Sequence, residues 1–126
     1  MAKILVVDDD PDVVEAVTLV LGSEGHETAT ANNRGDGMVA VKSFNPELLV
    51  LDVMMEQQDD GFTMAQELRR NGFDRPILML TSLGKVTGLD YGRDESVVPV
   101  DAFMEKPVEP GALVERVNEL LAAKEG

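Results

Sequence analysis

The sequence predicts an α/β fold, an open, doubly wound parallel sheet with helices on both faces. Three observations predict it. Ile4–Val7, Leu48–Leu51 and Ile77–Leu80 are unbroken apolar blocks of four, bounded by charged or turn residues. Blocks so short and rich in branched residues are strands buried on both faces. Stripes of helical period lie between them, and strict alternation of strand and helix implies right-handed crossovers between parallel strands.

Each element has its own signal. After strand one, Asp10-Pro11 supplies an N-cap and a proline at the first helical position. Val13, Val17, Val20 and Leu21 then recur at i, i+4, i+7 and i+8, and Gly22 and Gly25 stop that helix. Strand two, His26 to Ala31, is short and mixed, as edge strands tend to be. Asn33 caps a second helix carrying Met38, Val41 and Phe44, with Gly35 and Gly37 weakening its first turn.

Beyond strand three, Asp60 caps a third helix with Phe62, Ala65 and Leu68 inward, and Asn71-Gly72 ends it. After strand four, Gly84, Gly88, Gly92 and Pro99 interrupt the chain, so a fourth helix there is expected to be short, irregular or mobile. Strand five, Asp101 to Glu105, is again mixed. Pro110 opens a last helix with Leu113, Val117, Leu120 and Leu121 inward.

Composition sets the outer bounds. The chain has 126 residues, which suits one domain spanning 1–126. A hydrophobic fraction of 44% supplies a core and excludes intrinsic disorder. The longest apolar runs are four residues, far below the roughly 20 of a membrane span. No signal-peptide core follows Met1-Ala2-Lys3. The absence of cysteine excludes a disulfide scaffold, a thiol nucleophile and a cysteine zinc site, and suits a cytoplasmic protein. With 24 acidic against 11 basic side chains the formal charge is −13, which argues against direct nucleic-acid binding and favours cations and basic protein surfaces. The residue at the only histidine position, His26, is expected at the surface, as are Arg69, Arg70 and Glu119 on solvated helix faces.

In an open parallel sheet, ligands bind outside the carboxyl ends of the strands. Here those ends carry Asp8-Asp9-Asp10, Asp52, Thr81-Ser82 and Lys106-Pro107. Asp10 is explained as a helix cap. Asp8 and Asp9 are not, because one cap does not need three carboxylates, and like charges that close repel unless a cation joins them. Oxygen donors without His or Cys select a hard cation, with Mg²⁺ the common one. Asp52 stands at the lip of the buried sheet after four apolar residues. Thr81 or Lys106 alone would be an ordinary strand or surface residue. Pro107 biases Lys106 toward an extended conformation that aims it at the same edge. A metal, an ammonium and a hydroxyl around one carboxylate are what phosphoryl transfer to that carboxylate requires.

These residues resemble the receiver (phosphoacceptor) domain of two-component response regulators over essentially the whole chain. The matching stretches are ILVVDDDPDV, PELLVLDVMM followed by DG, PILMLTS and DAFMEKP, in the family's order and near its spacing. The resemblance implies the flavodoxin-like strand order 2-1-3-4-5. It implies that Asp52 accepts a phosphoryl group from a sensor histidine kinase or a phosphotransfer protein. Asp9 and Asp52 would ligate Mg²⁺ with the backbone carbonyl of Met54, and Asp8 would act largely through water. Thr81 would be the switch hydroxyl, Lys106 the phosphate-binding ammonium, and Phe103 a rotating aromatic, with an ordinary edge-strand core role as its alternative. Phosphorylation would switch the face made by the fourth helix, strand five and the fifth helix toward a downstream protein target. The domain would hydrolyse its own phosphate slowly and would not be a turnover enzyme.

Three departures from the family pattern stand out. The Glu56–Asp60 loop has an acidic residue in place of the usual proline and is about one residue longer than the family's, Ser82 replaces an alanine, and the stretch from Thr81 to Lys106 is a few residues longer than usual. A haloacid-dehalogenase-type phosphohydrolase would need an acid two residues after its nucleophile, where this chain has Met54. A flavodoxin would need a Ser/Thr-rich phosphate loop where Asp8-Asp9-Asp10 stands. A phosphorylation-independent interaction module of the same fold is the remaining alternative, and the intact acid, hydroxyl and ammonium set counts against it. The chain could be a stand-alone regulator or a receiver from a longer protein.

Overall fold

Apolar blocks of four become strands because both of their faces find cover. The computed structural model describes residues 2–52, 60–82, 100–106 and 108–125. Along the chain these form β1 (Lys3–Val7), α1 (Pro11–Ser23), β2 (Glu27–Ala31), α2 (Arg34–Phe44), β3 (Leu48–Asp52), α3 (Asp60–Arg70), β4 (Ile77–Ser82), β5 (Ala102–Lys106) and α4 (Pro110–Glu125). All strands run parallel in the order β2-β1-β3-β4-β5, the doubly wound arrangement the sequence predicts.

Successive side chains of a strand point to opposite faces, and two cores result. Leu5, Val7, Leu49, Leu51, Ile77 and Met79 face one side, where Met64, Ala65 and Leu68 of α3 and Met38, Val41 and Phe44 of α2 cover them. Ile4, Val6, Leu48, Val50, Leu78 and Leu80 face the other, under Val17 and Leu21 of α1 and Leu113 and Val117 of α4. The strand residues are fully buried, which fixes register, since a slip by one residue would exchange the two faces.

Helix ends follow local chemistry. The Asp10 carboxylate accepts from the Asp12 N–H at 3.0 Å, and Asn33 Oδ1 accepts from the Asp36 N–H at 2.8 Å. The Glu109 carboxylate does the same for α4, accepting from Gly111 and Ala112 N–H at 3.2 and 2.7 Å. Asp60 is the first residue of α3 and not the residue before it, a shift within ordinary boundary scatter. Gly37 lies where α2 meets β1 and α3. A Cβ there would stand 2.9 Å from Met64 Cε and 3.2 Å from Val7 Cγ1.

Two surface expectations need correction. His26 is half-buried at the foot of the sheet, where its Nδ1 accepts from the Ala2 N–H at 3.0 Å. Arg69 is anchored rather than solvated. It donates to the carbonyls of Phe73 and Arg75 and to Asp101 Oδ2, each at 2.8 Å, and Asp101 Oδ2 also accepts from the Ile77 N–H. That network ties the end of α3 to the starts of β4 and β5. The segment expected to hold an irregular fourth helix lies outside the described residues. Among the described residues no helix is long and apolar enough to cross a membrane.

Candidate functional site

The topology brings four strand ends to one edge. β1 and β3 are neighbours with Val7 opposite Leu51, so Asp8 and Asp52 each follow directly on paired core residues. β4 lies beside β3 with Leu80 opposite Asp52, which puts Thr81 one step beyond that pair. β5 closes the group with Lys106 opposite Ser82. By strand alternation Asp52 and Lys106 share the α1/α4 face with Val50 and Met104, whereas Thr81 shares the opposite face with Met79.

Local bonds hold the acids in place. The Asp8 N–H donates to the Ala31 carbonyl at 3.1 Å, and Asp8 Oδ1 accepts from the Asp10 N–H at 2.9 Å. Asp8 is 0% exposed, Asp52 3% and Thr81 1%, while Asp9 is open to solvent. One carboxylate oxygen from each of Asp8, Asp9 and Asp52 lies within 4.8 Å of the others. Lys106 Nζ reaches into this cluster, 3.0 Å from Asp52 Oδ1 and 3.0 Å from Asp8 Oδ2. Burial of Lys106 opposes its charge, but the Asp8 and Asp52 carboxylates beside it outweigh that effect and hold its pKa above the ordinary value.

The donor set suits a hard divalent cation. Three carboxylates against one ammonium leave a formal local charge of −2. The ammonium is near Asp8 Oδ2 but off its hydrogen-bonding direction, and that buried oxygen has no aligned donor among the described residues. An ion bonded to it would satisfy an oxygen that is otherwise costly to bury. All the available donors are oxygens, the type that Mg²⁺ takes.

Of the residues expected here, Asp8, Asp9, Asp52 and Lys106 converge, and Thr81 is buried beside them. Phe103 lies on β5 opposite Met79, half-buried against the α2/α3 core. The Met54 carbonyl, most of the Glu56–Asp60 loop and Pro107 fall outside the described residues. The direct contact of Lys106 with Asp8 goes beyond the general pairing of ammonium and acids that the sequence implies, and its one signal in the sequence is the pair Asp8-Asp9, which helix capping does not explain.

Comparison with known proteins settles the family. The model of the response regulator receiver domain matches residues 4–118. The chain belongs to the response regulator receiver family. A probable transcriptional regulator, ycf27 of Porphyra purpurea, is 40% identical over 123 residues, covering 94% of this chain and 47% of the relative. The DNA-binding response regulator MtrA of Mycolicibacterium smegmatis is 36% identical, covering 98% of this chain and 52% of the relative. The receiver chain thus spans about half the length of the curated relatives it matches. A crystal structure of a putative response regulator from Chloroflexus aurantiacus superposes with a TM-score of 0.82 at 30% identity, covering 96% and 98% of the two chains. The receiver domain of NtrX from Brucella abortus does so at 0.81 and 28%, covering 94% and 98%.

Proposed function

We propose that this receiver domain accepts a phosphoryl group on Asp52 from the phosphohistidine of a sensor histidine kinase or a phosphotransfer protein. The observation that supports it most is the contact of Lys106 Nζ with both Asp52 and Asp8 beside a third carboxylate. An Asp52 oxygen attacks phosphorus, the P–N bond to the donor imidazole breaks, and the imidazole keeps the electron pair of that bond. Asp52 is left as an acyl phosphate.

Asp8, Asp9 and Asp52, with the carbonyl of Met54, would hold Mg²⁺, which supplies positive charge for the phosphoryl oxygens. Lys106 neutralises another of those oxygens from the β5 side, in a setting where an ammonium is kept charged by its neighbours. The Thr81 hydroxyl donates to a third from the end of β4. Movement of Thr81 toward the phosphate, with rotation of Phe103 on β5, carries the change to the face formed around strand five and the last helix, where a downstream protein reads it. Slow hydrolysis of the acyl phosphate resets the domain, which makes it a timed switch and not a turnover enzyme. The relatives named as transcriptional regulators suit such an output, and this acidic chain would act through protein contacts without gripping nucleic acid.

Label transfer tests the donor class. A phosphorylated histidine-bearing phosphotransfer domain incubated with the chain and Mg²⁺ is expected to lose its label to this domain, and Asp52→Asn is expected to abolish the transfer. Retention of the label by the donor, with small-molecule phosphorylation intact, would remove the histidine donor but leave the acceptor role.

A further inference from the structure

α2 and α3 each return antiparallel to the strands, so their C-terminal ends stand at the edge of the sheet opposite Asp52. A pocket of ≈ 320 Å³ opens between those ends. Its floor is apolar, made by Met38 and Val41 of α2, Leu68 of α3 and Phe73. The Arg69 guanidinium lies over the Phe73 ring, 5.8 Å from its centre, and holds it in place. Asn45, Asn71 and Lys42 supply the polar rim. Their backbone is tied down at both helix ends. The Asn45 N–H donates to the Val41 carbonyl at 3.1 Å from a left-handed conformation, φ 55°, and the Asn71 N–H donates to the Glu67 and Leu68 carbonyls, each at 3.1 Å. Among the described residues neither carboxamide has a hydrogen-bond partner of its own. No acidic side chain lines the pocket, although the chain carries 24, and the nearby Asp74 faces Arg75 at 4.0 Å.

We propose that this pocket binds a purine nucleotide, with the base on the apolar floor and the phosphate at Lys42. The volume is at the lower end of small-molecule sites, which run from about 300 to 1,000 Å³, so a flat ring system suits it and larger groups stay outside. Phe73 and Met38 offer an aromatic ring and a thioether, both of which favour a planar, polarisable partner. A carboxamide presents a donor and an acceptor side by side, the complement of a purine edge. The Lys42 ammonium supplies the one cation of the pocket. At physiological salt, fields fade over about 8 Å, so this local charge and not the total charge of the chain governs the phosphate. The site needs neither Mg²⁺ nor a phosphoryl group at Asp52.

The test titrates the unphosphorylated, isotope-labelled chain with adenosine monophosphate, without Mg²⁺, at about 0.15 M salt. Saturable amide shifts at Met38, Lys42, Asn45, Asn71 and Gly72 are expected, with half-saturation at or below about 1 mM. Lys42→Gln is expected to weaken the nucleotide about fivefold and to leave adenosine within about twofold. Arg116→Gln, the same change in charge on the exposed face of α4, is expected to alter neither by more than about twofold. Asn45→Gly, which keeps the left-handed backbone, combined with Asn71→Ala is expected to weaken both ligands about tenfold. Phenyl phosphate has a ring and an anion but no donor–acceptor edge, and is expected to bind about tenfold more weakly than the nucleotide. Absence of saturable shifts, equal losses in Lys42→Gln and Arg116→Gln, or equal affinity for phenyl phosphate would overturn the proposal. None of these results bears on Asp52.

Discussion

Lys106 Nζ lies 3.0 Å from Asp52 Oδ1, a contact across 54 positions of sequence that exists only because β5 and β3 flank the same strand. The ammonium already occupies the place from which a phosphoryl oxygen would be neutralised. It also serves as the resident counter-charge of a buried carboxylate pair, since Asp8 Oδ2 is equally close.

Removing that charge separates the two roles. Lys106→Ala is expected to destabilise the metal-free domain by about 3 kcal/mol, the usual cost of stranding one side of a buried ion pair. Mg²⁺ should still bind and should recover more stability in the variant than in the wild type, while the conformational response to phosphorylation is blunted. Thermal unfolding with and without Mg²⁺ checks the first part, and amide spectra before and after phosphorylation check the second. A variant as stable and as responsive as the wild type would refute both roles.

Arg69 clamps the far end of the sheet. Arg69→Ala takes a donor from the Phe73 and Arg75 carbonyls and from Asp101. A loss of about 2 kcal/mol is expected, because the bond to a charged acceptor goes and two carbonyls lose a partner. Urea unfolding measures it. Phosphorylation of Asp52 should be unaffected, since Arg69 stands at the opposite end of the strands.

His26 makes stability depend on pH. Burial lowers its pKa from 6.5, and its Nδ1 must be unprotonated to accept from the Ala2 N–H. The unfolded chain therefore binds the proton more readily. Its contribution is fully present above pH 6.5 and is lost as pH falls through the lower folded-state value. His26→Gln, which keeps an acceptor but does not titrate, is expected to show a shallower decline between about pH 7.5 and 5.5 in urea unfolding. Identical slopes would contradict this.

Gly37 packs closely against Met64 and Val7. Gly37→Val would place its Cβ 2.9 Å from Met64 Cε and 3.2 Å from Val7 Cγ1, with two more methyls to accommodate. A loss of about 2 kcal/mol is expected from the overpacking. Gly37→Ala is expected to be much milder, because Met64 Cε is the end of a flexible side chain and alanine favours the helix. Thermal unfolding of the two variants checks the order.

The strands and caps were legible because their causes are local. Four-residue apolar blocks, Asp10-Pro11 and Asn33 act within a few positions of themselves, and Lys106-Pro107 gave the ammonium. The strand ends could be gathered to one edge once the sheet was known to be parallel. The roles of His26 and Arg69 are hidden in the sequence because Ala2 and Asp101 are 24 and 32 positions away, and the nearer partners of Arg69 are backbone carbonyls, which no residue pattern marks. The cap at Glu109 was missed because glutamate is a less common capping residue than the aspartate and asparagine that precede α1 and α2.

Intact mass after incubation with a small phosphodonor and Mg²⁺ tests most directly whether Asp52 is the nucleophile. One added phosphoryl group is expected on the wild-type chain, and none on Asp52→Asn or after chelation of the metal. The same mass gain on Asp52→Asn would contradict the account.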